Sequence, residues 1–188
     1  VLLAGGTCNA QVGSGDPYLP FRQALRLLTG DLDVAGEGGA LAPLYAQRVE
    51  TFAPAVAQAV SEARVNLDGW LGDAVPADAG HGAAGQAPQS PNILCDHVAR
   101  LLQAISRAGV LILVLDDLQW ADRGTLNLMA HLGRRLSGSR ILMIGIYRST
   151  EVGAMHALSS AVRELQRLHG DVTLDLDRAG GRGFVDAF

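Results

Sequence analysis

Short apolar runs alternate with longer amphipathic segments along this chain. Residues 110–115 form an unbroken apolar run rich in Val, Ile and Leu, which is typical of a strand buried on both faces of a parallel sheet. Similar runs predict strands at residues 1–4, 140–147 and 172–176. Because strands that alternate with helices favour a parallel sheet with right-handed crossovers, the pattern predicts an α/β fold.

The helices are predicted from apolar residues three or four positions apart, which line one face of a helix. Five segments show this spacing, the second with a break near Pro54: residues 17–28, 43–71, 92–107, 123–136 and 154–168. Residues 30–42 are rich in Gly and acidic residues and are predicted to form a loop. Residues 74–91 contain much Ala, Gly and Pro and few large apolar side chains, so we expect them to be flexible.

Two adjacent carboxylates, Asp116 and Asp117, directly follow the central apolar run. Ligands of open α/β sheets bind outside the carboxyl ends of the strands. Such a pair can also form a turn or cap the next helix, but Asp122 is better placed as the N-cap of the following helical segment. The pattern is that of a Walker B strand in a P-loop nucleotide triphosphatase. Asp116 would then hold Mg²⁺ through its waters, and Asp117 would orient an attacking water.

Arg148 follows the strand predicted at residues 140–147 and is expected at the same edge of the sheet. A guanidinium there can contact the γ-phosphate of ATP with two hydrogen bonds and so report whether that phosphate is present. The alternative is a surface arginine paired with Glu151. The sequence alone leaves both interpretations open.

Composition narrows the classes of function. The chain has 188 residues, 48 % of them apolar, and a formal net charge of −4. We therefore expect a folded core and no direct contact with nucleic acid, since a basic face is the usual footprint of such binding. No apolar stretch approaches the roughly 20 residues of a membrane span, and no signal peptide is recognisable, so we expect a cytoplasmic location. Cys8 and Cys95 lack metal-binding spacing and are predicted to be buried, reduced thiols.

All 15 basic side chains are Arg, and the chain contains no Lys. A phosphate-binding loop of the GxxxxGK[ST] type needs its Lys to reach the β- and γ-phosphates, so this chain cannot contain one. The glycines from Gly5 to Gly15 follow a strand and could form another kind of phosphate-binding loop. Their spacing is not GxGxxG, however, and Asp16 and Pro17 interrupt the turn.

Three stretches, residues 17–25, 113–122 and 138–148, resemble parts of the STAND group of AAA-like ATPases. The block Leu-Asp-Asp-Leu-Gln-Trp-Ala-Asp in the second stretch is highly specific. The likeness is strongest to the ATPase module of large LuxR-type transcription regulators and of bacterial adenylate/guanylate cyclase-like proteins. The resemblance implies a signalling switch that uses ATP and Mg²⁺. Its expected partners are ATP or ADP, further copies of itself and other domains of the same chain.

The resemblance also implies five parallel strands in the order 5-1-4-3-2. The four predicted strands then correspond to strands 2, 3, 4 and 5, and strand 1 with its Walker A loop is expected ahead of residue 1. Residues 1–188 would be a partial AAA-like ATPase domain in which residues 30–91 form a variable, loosely helical insert. Strand 4 would lack a neighbour. Without the Walker A loop, we expect the segment alone to bind ATP weakly or not at all. Because strand 4 is unpaired, we expect the segment to associate or aggregate, with residues 172–176 detached from strand 4 or moved across to fill the gap.

Three functions follow from these observations. The first is a nucleotide-dependent signalling switch, which the carboxylate pair and the resemblance favour. The second is an interaction scaffold that keeps the fold without hydrolysing ATP. The third is a dinucleotide-binding enzyme that would use the glycines between Gly5 and Gly15.

Overall fold

A computed structural model describes residues 1–10, 17–29, 58 and 91–176, and in it three strands form one parallel sheet. Strand β1 spans Leu2–Thr7, β2 spans Leu111–Asp116 and β3 spans Ile141–Gly145. The middle strand is β2, which pairs in parallel with β1 on one side and with β3 on the other. The predicted α/β fold and the parallel pairing of these strands are confirmed, while the five-strand order stays a prediction.

Helices connect and cover the strands. Helix α1 spans Leu19–Thr29, α2 spans Pro91–Ala108, α3 spans Arg123–Arg135 and α4 spans Ala157–His169. Short 3-10 helices follow β2 and β3, at Leu118–Trp120 and Ser149–Glu151. These four helices begin and end within a few residues of the predicted positions. The predicted helical segment at 43–71, the loop at 30–42 and nearly all of 74–91 lie outside the described residues.

The core lies against one face of the sheet. In β2, Leu111, Leu113 and Leu115 are fully buried, whereas the residues between them are only half-buried. Successive side chains of a strand point to opposite faces, so the helices cover the face of these three leucines. The same core cluster contains larger apolar side chains from all four helices: Phe21, Leu25, Leu101, Leu102, Ile105, Leu128, Leu132 and Leu158. The expectation that β2 is buried on both faces is therefore too strong.

Two glycines belong to β1 rather than to a loop. The apolar pattern predicts that the strand ends at residue 4, but it continues through Gly5 and Gly6 to Thr7. A Cβ on Gly5 would lie 3.2 Å from the carbonyl oxygen of Val114, and one on Gly6 would lie 2.6 Å from Cα of Pro20. These glycines allow neighbouring backbone to approach closely. Gly5 and Gly6 are thus strand residues and not the start of a phosphate-binding loop. The rest of the glycine-rich stretch, from residue 11 to Gly15, lies outside the described residues.

Residues 172–176 do not form the predicted strand. The backbone N–H of Thr173 donates to the carboxylate of Asp171 at 3.2 Å, and its hydroxyl accepts from Gln166 at 3.0 Å. These local bonds compete with extended pairing. The segment is not paired with β3, as the expected detachment requires. A cavity of about 330 Å³ lies beside β3, with Val172 and Leu174 on its wall.

Among the helices that the structure describes, none combines the length and the apolar character needed to cross a membrane.

Candidate functional site

The carboxyl ends of the three strands lie level with one another. Thr7 of β1 is opposite Asp116 of β2, and Gly145 of β3 is opposite Leu115. Asp116 ends β2 and is half-buried. One of its carboxylate oxygens accepts the backbone N–H of Asp117 at 2.8 Å. The sheet therefore brings the first predicted site residue to the edge where ligands of parallel sheets bind.

Asp117 adopts a left-handed backbone conformation, with φ 53° and ψ 40°. Few residues other than Gly adopt this conformation, although Asp and Asn are enriched in it. It turns the chain sharply from β2 into the 3-10 helix at Leu118–Trp120. The Asp117 side chain makes no capping hydrogen bond to this helix.

Asp122 caps α3, as the sequence predicts. One of its carboxylate oxygens accepts the backbone N–H of Thr125 at 3.0 Å, and the other accepts the Thr125 hydroxyl. That second oxygen also accepts the backbone N–H of Tyr18 at 3.3 Å, which ties the start of α1 to the start of α3. Since Asp122 performs the capping, Asp116 and Asp117 are available for another role.

Arg148 lies just beyond β3, next to the turn that follows β2. The backbone N–H of Ile146 donates to the Leu115 carbonyl at 2.8 Å, and the N–H of Leu118 donates to the Ile146 carbonyl at 2.9 Å. The Arg148 side chain is 70 % exposed and its guanidinium donates to Glu151 at 3.4 Å. This contact is the surface pairing that the sequence left as an alternative. Contact with a γ-phosphate stays a prediction and would require the guanidinium to leave Glu151.

Sequence reasoning missed Gln119. Its side chain is only 4 % exposed. Its amide nitrogen donates to Asp117 Oδ1 at 2.9 Å, and its amide oxygen accepts the backbone N–H of Arg148 at 3.2 Å. Gln119 thus joins the two predicted site segments. The only signal in the sequence is an amide side chain two residues after Asp117, between Leu118 and Trp120.

The Cys8 thiol experiences the negative charge of the site. Burial and then the carboxylates of Asp122, Asp117 and Asp116, in that order, raise the pKa of Cys8 to about 12. Its backbone N–H donates to the Asp116 carbonyl at 3.0 Å. Cys8 and Cys95 are both buried and free of disulfides, so the prediction of buried, reduced thiols is confirmed. Burial disfavours any charge, whereas the negative charge of the three carboxylates by itself favours a cation beside them.

The donor set at this edge suits Mg²⁺ only in the company of a nucleotide. Among the described residues no group of three or more His, Cys, Asp or Glu side chains could hold a metal ion alone. Asp116 and Asp117 each keep one carboxylate oxygen that accepts no hydrogen bond from the described residues. Mg²⁺ commonly takes one or two carboxylates and completes its shell with phosphate oxygens and waters. The two aspartates fit that chemistry.

Comparison with known proteins identifies the family but no individual relative. A family model described as an AAA ATPase domain matches residues 4–144. No curated protein and no solved structure matches the chain. The matched region includes all of α1, α2, β2 and α3 and most of β1 and β3, and so it contains both carboxylates. The chain therefore belongs to the AAA ATPase domain family.

Proposed function

We propose that this chain is part of an ATP-dependent signalling switch of the STAND type in a bacterial regulatory protein. One observation carries the proposal: two acidic side chains at the carboxyl end of β2 lie beside the loop that bears Arg148, in a chain of the AAA ATPase domain family. LuxR-type regulators and cyclase-like proteins are the contexts that its sequence resembles. ATP binding would favour one conformational state, and hydrolysis would reset it.

Each site residue has a proposed task. Asp116 would hold the waters of Mg²⁺, which when bound would neutralise charge on the β- and γ-phosphates. Asp117 would accept a hydrogen bond from the attacking water, for which its second carboxylate oxygen is open. Arg148 would exchange its exposed contact with Glu151 for the γ-phosphate, since a guanidinium matches the geometry of phosphate oxygens.

A non-hydrolysing scaffold is the second candidate. It is favoured by β3, which pairs on one side only among the described residues. Leu142 and Ile144 in this strand and Ile146 just beyond it are exposed. On this proposal the chain uses that edge for self-association or to contact other domains. The dinucleotide-binding alternative is no longer favoured, because Gly5 and Gly6 are part of a paired strand.

The two candidates are separated by ATP hydrolysis in the full-length protein. Asp117→Asn should slow hydrolysis about a hundredfold with little loss of ATP binding, as expected for a group that positions a proton transfer. Asn is preferable to Ala here because it tolerates the left-handed backbone of residue 117. Asp116→Asn should instead weaken Mg²⁺-dependent binding. Arg148→Ala should lower the preference for ATP over ADP by about tenfold or more, the worth of a charge-assisted contact.

Asp96→Asn is the matched control, because Asp96 is an exposed carboxylate on α2 whose partners among the described residues, His131 and Arg135, both lie on α3. It should leave all three measurements unchanged. An Asp117→Asn protein that hydrolyses ATP at the normal rate would remove the proposed role of Asp117. A wild-type protein that binds ATP without hydrolysing it would favour the scaffold.

A further inference from the structure

Gln119 differs from the other buried polar side chains of the described residues. Those are Ser106, whose hydroxyl donates to the Gln103 carbonyl within the same helix, and Thr125, which bonds to its own helix cap, Asp122. Gln119 uses both ends of its amide, and its two partners lie past the ends of two different strands. Burying an amide is costly unless both ends are paired. The pairing therefore fixes the geometry of this turn.

The orientation of the Gln119 amide follows from its partners. The backbone N–H of Arg148 can only donate, so the amide oxygen must face it. The Asp117 carboxylate can only accept, so the amide NH₂ must face Asp117. Of the residues similar in size, Glu would place an acceptor against an acceptor and Leu would satisfy neither partner. The position requires a side chain that accepts at one end and donates at the other.

The bridge also determines which carboxylate oxygen of Asp117 remains open. Oδ1 is engaged by Gln119, and Oδ2 accepts no hydrogen bond from the described residues. The left-handed backbone at Asp117 and the backbone bond from Leu118 to Ile146 hold the rest of the turn in place. A shift of the Arg148 backbone would consequently pull on the amide and reorient the Asp117 carboxylate.

We propose that Gln119 is a positioning residue that couples the orientation of the Asp117 carboxylate to the position of the Arg148 loop. When Arg148 changes its contact, Gln119 transmits the displacement to Asp117 through one side chain. The structural link between Asp117 and Arg148 through Gln119 follows from the two hydrogen bonds alone. The effect of this link on ATP hydrolysis rests on the proposed function.

The test uses the full-length protein with ATP and four variants. Gln119→Leu removes both hydrogen bonds, and Gln119→Glu opposes two carboxylates. The double variant Asp117→Asn with Gln119→Glu reverses donor and acceptor and restores a complementary pair. Gln103→Leu is the control, because it removes an amide that donates to a different group, the backbone carbonyl of Arg135 at 2.9 Å, and that bonds to neither Asp117 nor Arg148.

The first measurement is amide hydrogen exchange at Arg148, which does not depend on ATP hydrolysis. Gln119→Leu should raise the exchange rate about tenfold, as loss of one buried hydrogen bond allows. Gln119→Glu should raise it at least as much, and the double variant should return it to within about threefold of wild type. A residue that only fills space would give normal exchange in Gln119→Leu and no rescue by the double variant, and either result would overturn the link.

The second measurement is steady-state ATP hydrolysis. Gln119→Leu should lower kcat about tenfold with KM nearly unchanged, because it misplaces Asp117 without touching the nucleotide. The double variant should regain Arg148 protection but not hydrolysis, since it lacks the Asp117 carboxylate. Normal kcat in Gln119→Leu, with fast exchange at Arg148, would overturn the coupling. If wild type does not hydrolyse ATP at all, the proposed function fails while hydrogen exchange still decides the structural link.

Discussion

The two edges of the sheet differ although both consist of short apolar strands. At β1, helix α1 packs directly on the strand, and the side chain of Gln23 accepts the outward backbone N–H of Thr7 at 2.7 Å. At β3, Leu142, Ile144 and Ile146 are 53 %, 37 % and 45 % exposed. Among the described residues both are edge strands, but α1 packs on β1 and Gln23 pairs one of its outward groups, whereas β3 presents apolar side chains to solvent.

The backbone of β3 shows the same contrast. The N–H of Ile146 and the carbonyl of Arg140 bond to β2. Because alternate residues of a strand direct their backbone groups to opposite sides, those of Ile141, Met143 and Gly145 point away from the sheet. No strand pairs with them among the described residues. β3 also lacks the charges and prolines that usually protect an edge. It has the properties of an interior strand placed at an edge.

The largest expected effect comes from disturbing the contact between β1 and α1. In Gly6→Ala the new Cβ would lie 2.6 Å from Cα of Pro20, which is backbone and cannot rotate away. We expect a loss of about 3 kcal/mol in the free energy of unfolding, at the upper end for overpacking. Gly145→Ala should cost about 1 kcal/mol or less, because its Cβ would meet the movable end of Leu118 at 2.6 Å.

Urea denaturation of the 188-residue chain measures both changes. Gly153→Ala is the control, since a Cβ there meets nothing within 4 Å, and it should change the stability by no more than about 0.5 kcal/mol. If Gly6→Ala lowered the free energy of unfolding no more than Gly145→Ala does, the close contact between α1 and β1 at Pro20 would be contradicted.

The next effect concerns the open edge. The 188-residue chain should self-associate through β3, because an uncharged apolar edge strand is a template for pairing. Ile144→Lys should weaken this association about tenfold or more by placing a charge in the strand. Ile93→Lys is the matched control: Ile93 is 48 % exposed but lies in the first turn of α2. Sedimentation velocity over a range of concentrations measures the association. A monomeric wild-type chain, or equal weakening by both variants, would show that β3 is not the contact.

Local sequence patterns predict most of the strands and helices but not which segments become neighbours in the fold. The run that forms β2 and the cap at Asp122 follow from the residues themselves. The end of β1 at Thr7 could not be predicted, because Gly5 and Gly6 signal a turn locally and are accepted in the strand only where Val114 and Pro20 approach. Residues 172–176 alternate like a strand, yet a strand needs a neighbour, and the sequence does not state which neighbours are present.

In the candidate site, too, some features follow from the local sequence and others depend on contacts between distant segments. The position of Asp116 and Asp117 at the carboxyl end of β2 follows from the apolar run. The left-handed backbone of Asp117 and the bridge through Gln119 depend on the distance between two strand ends, which no spacing along the chain encodes. The contact of Arg148 with Glu151 is local, three residues apart, and the sequence could offer it as one of two alternatives.

The smallest expected effect tests whether charge stabilises the packing of α2 against α3. Asp96 on α2 bonds to Arg135 at 2.6 Å and lies 3.0 Å from His131, both on α3. The hydrogen bond from Arg135, followed by the charges of Arg135 and His131, lowers the pKa of Asp96 below its ordinary value of 3.8. A lowered pKa in the folded state stabilises the fold above the ordinary value, and this contribution is lost as the pH falls through the lowered pKa.

Asp96→Asn should therefore lower the unfolding midpoint by about 1–3 °C near neutral pH, as for an exposed ion pair, and by nothing measurable in strong acid. Thermal unfolding of both proteins across this range measures the difference. A difference that persists in acid would mean that Asp96 acts through packing and not through its charge.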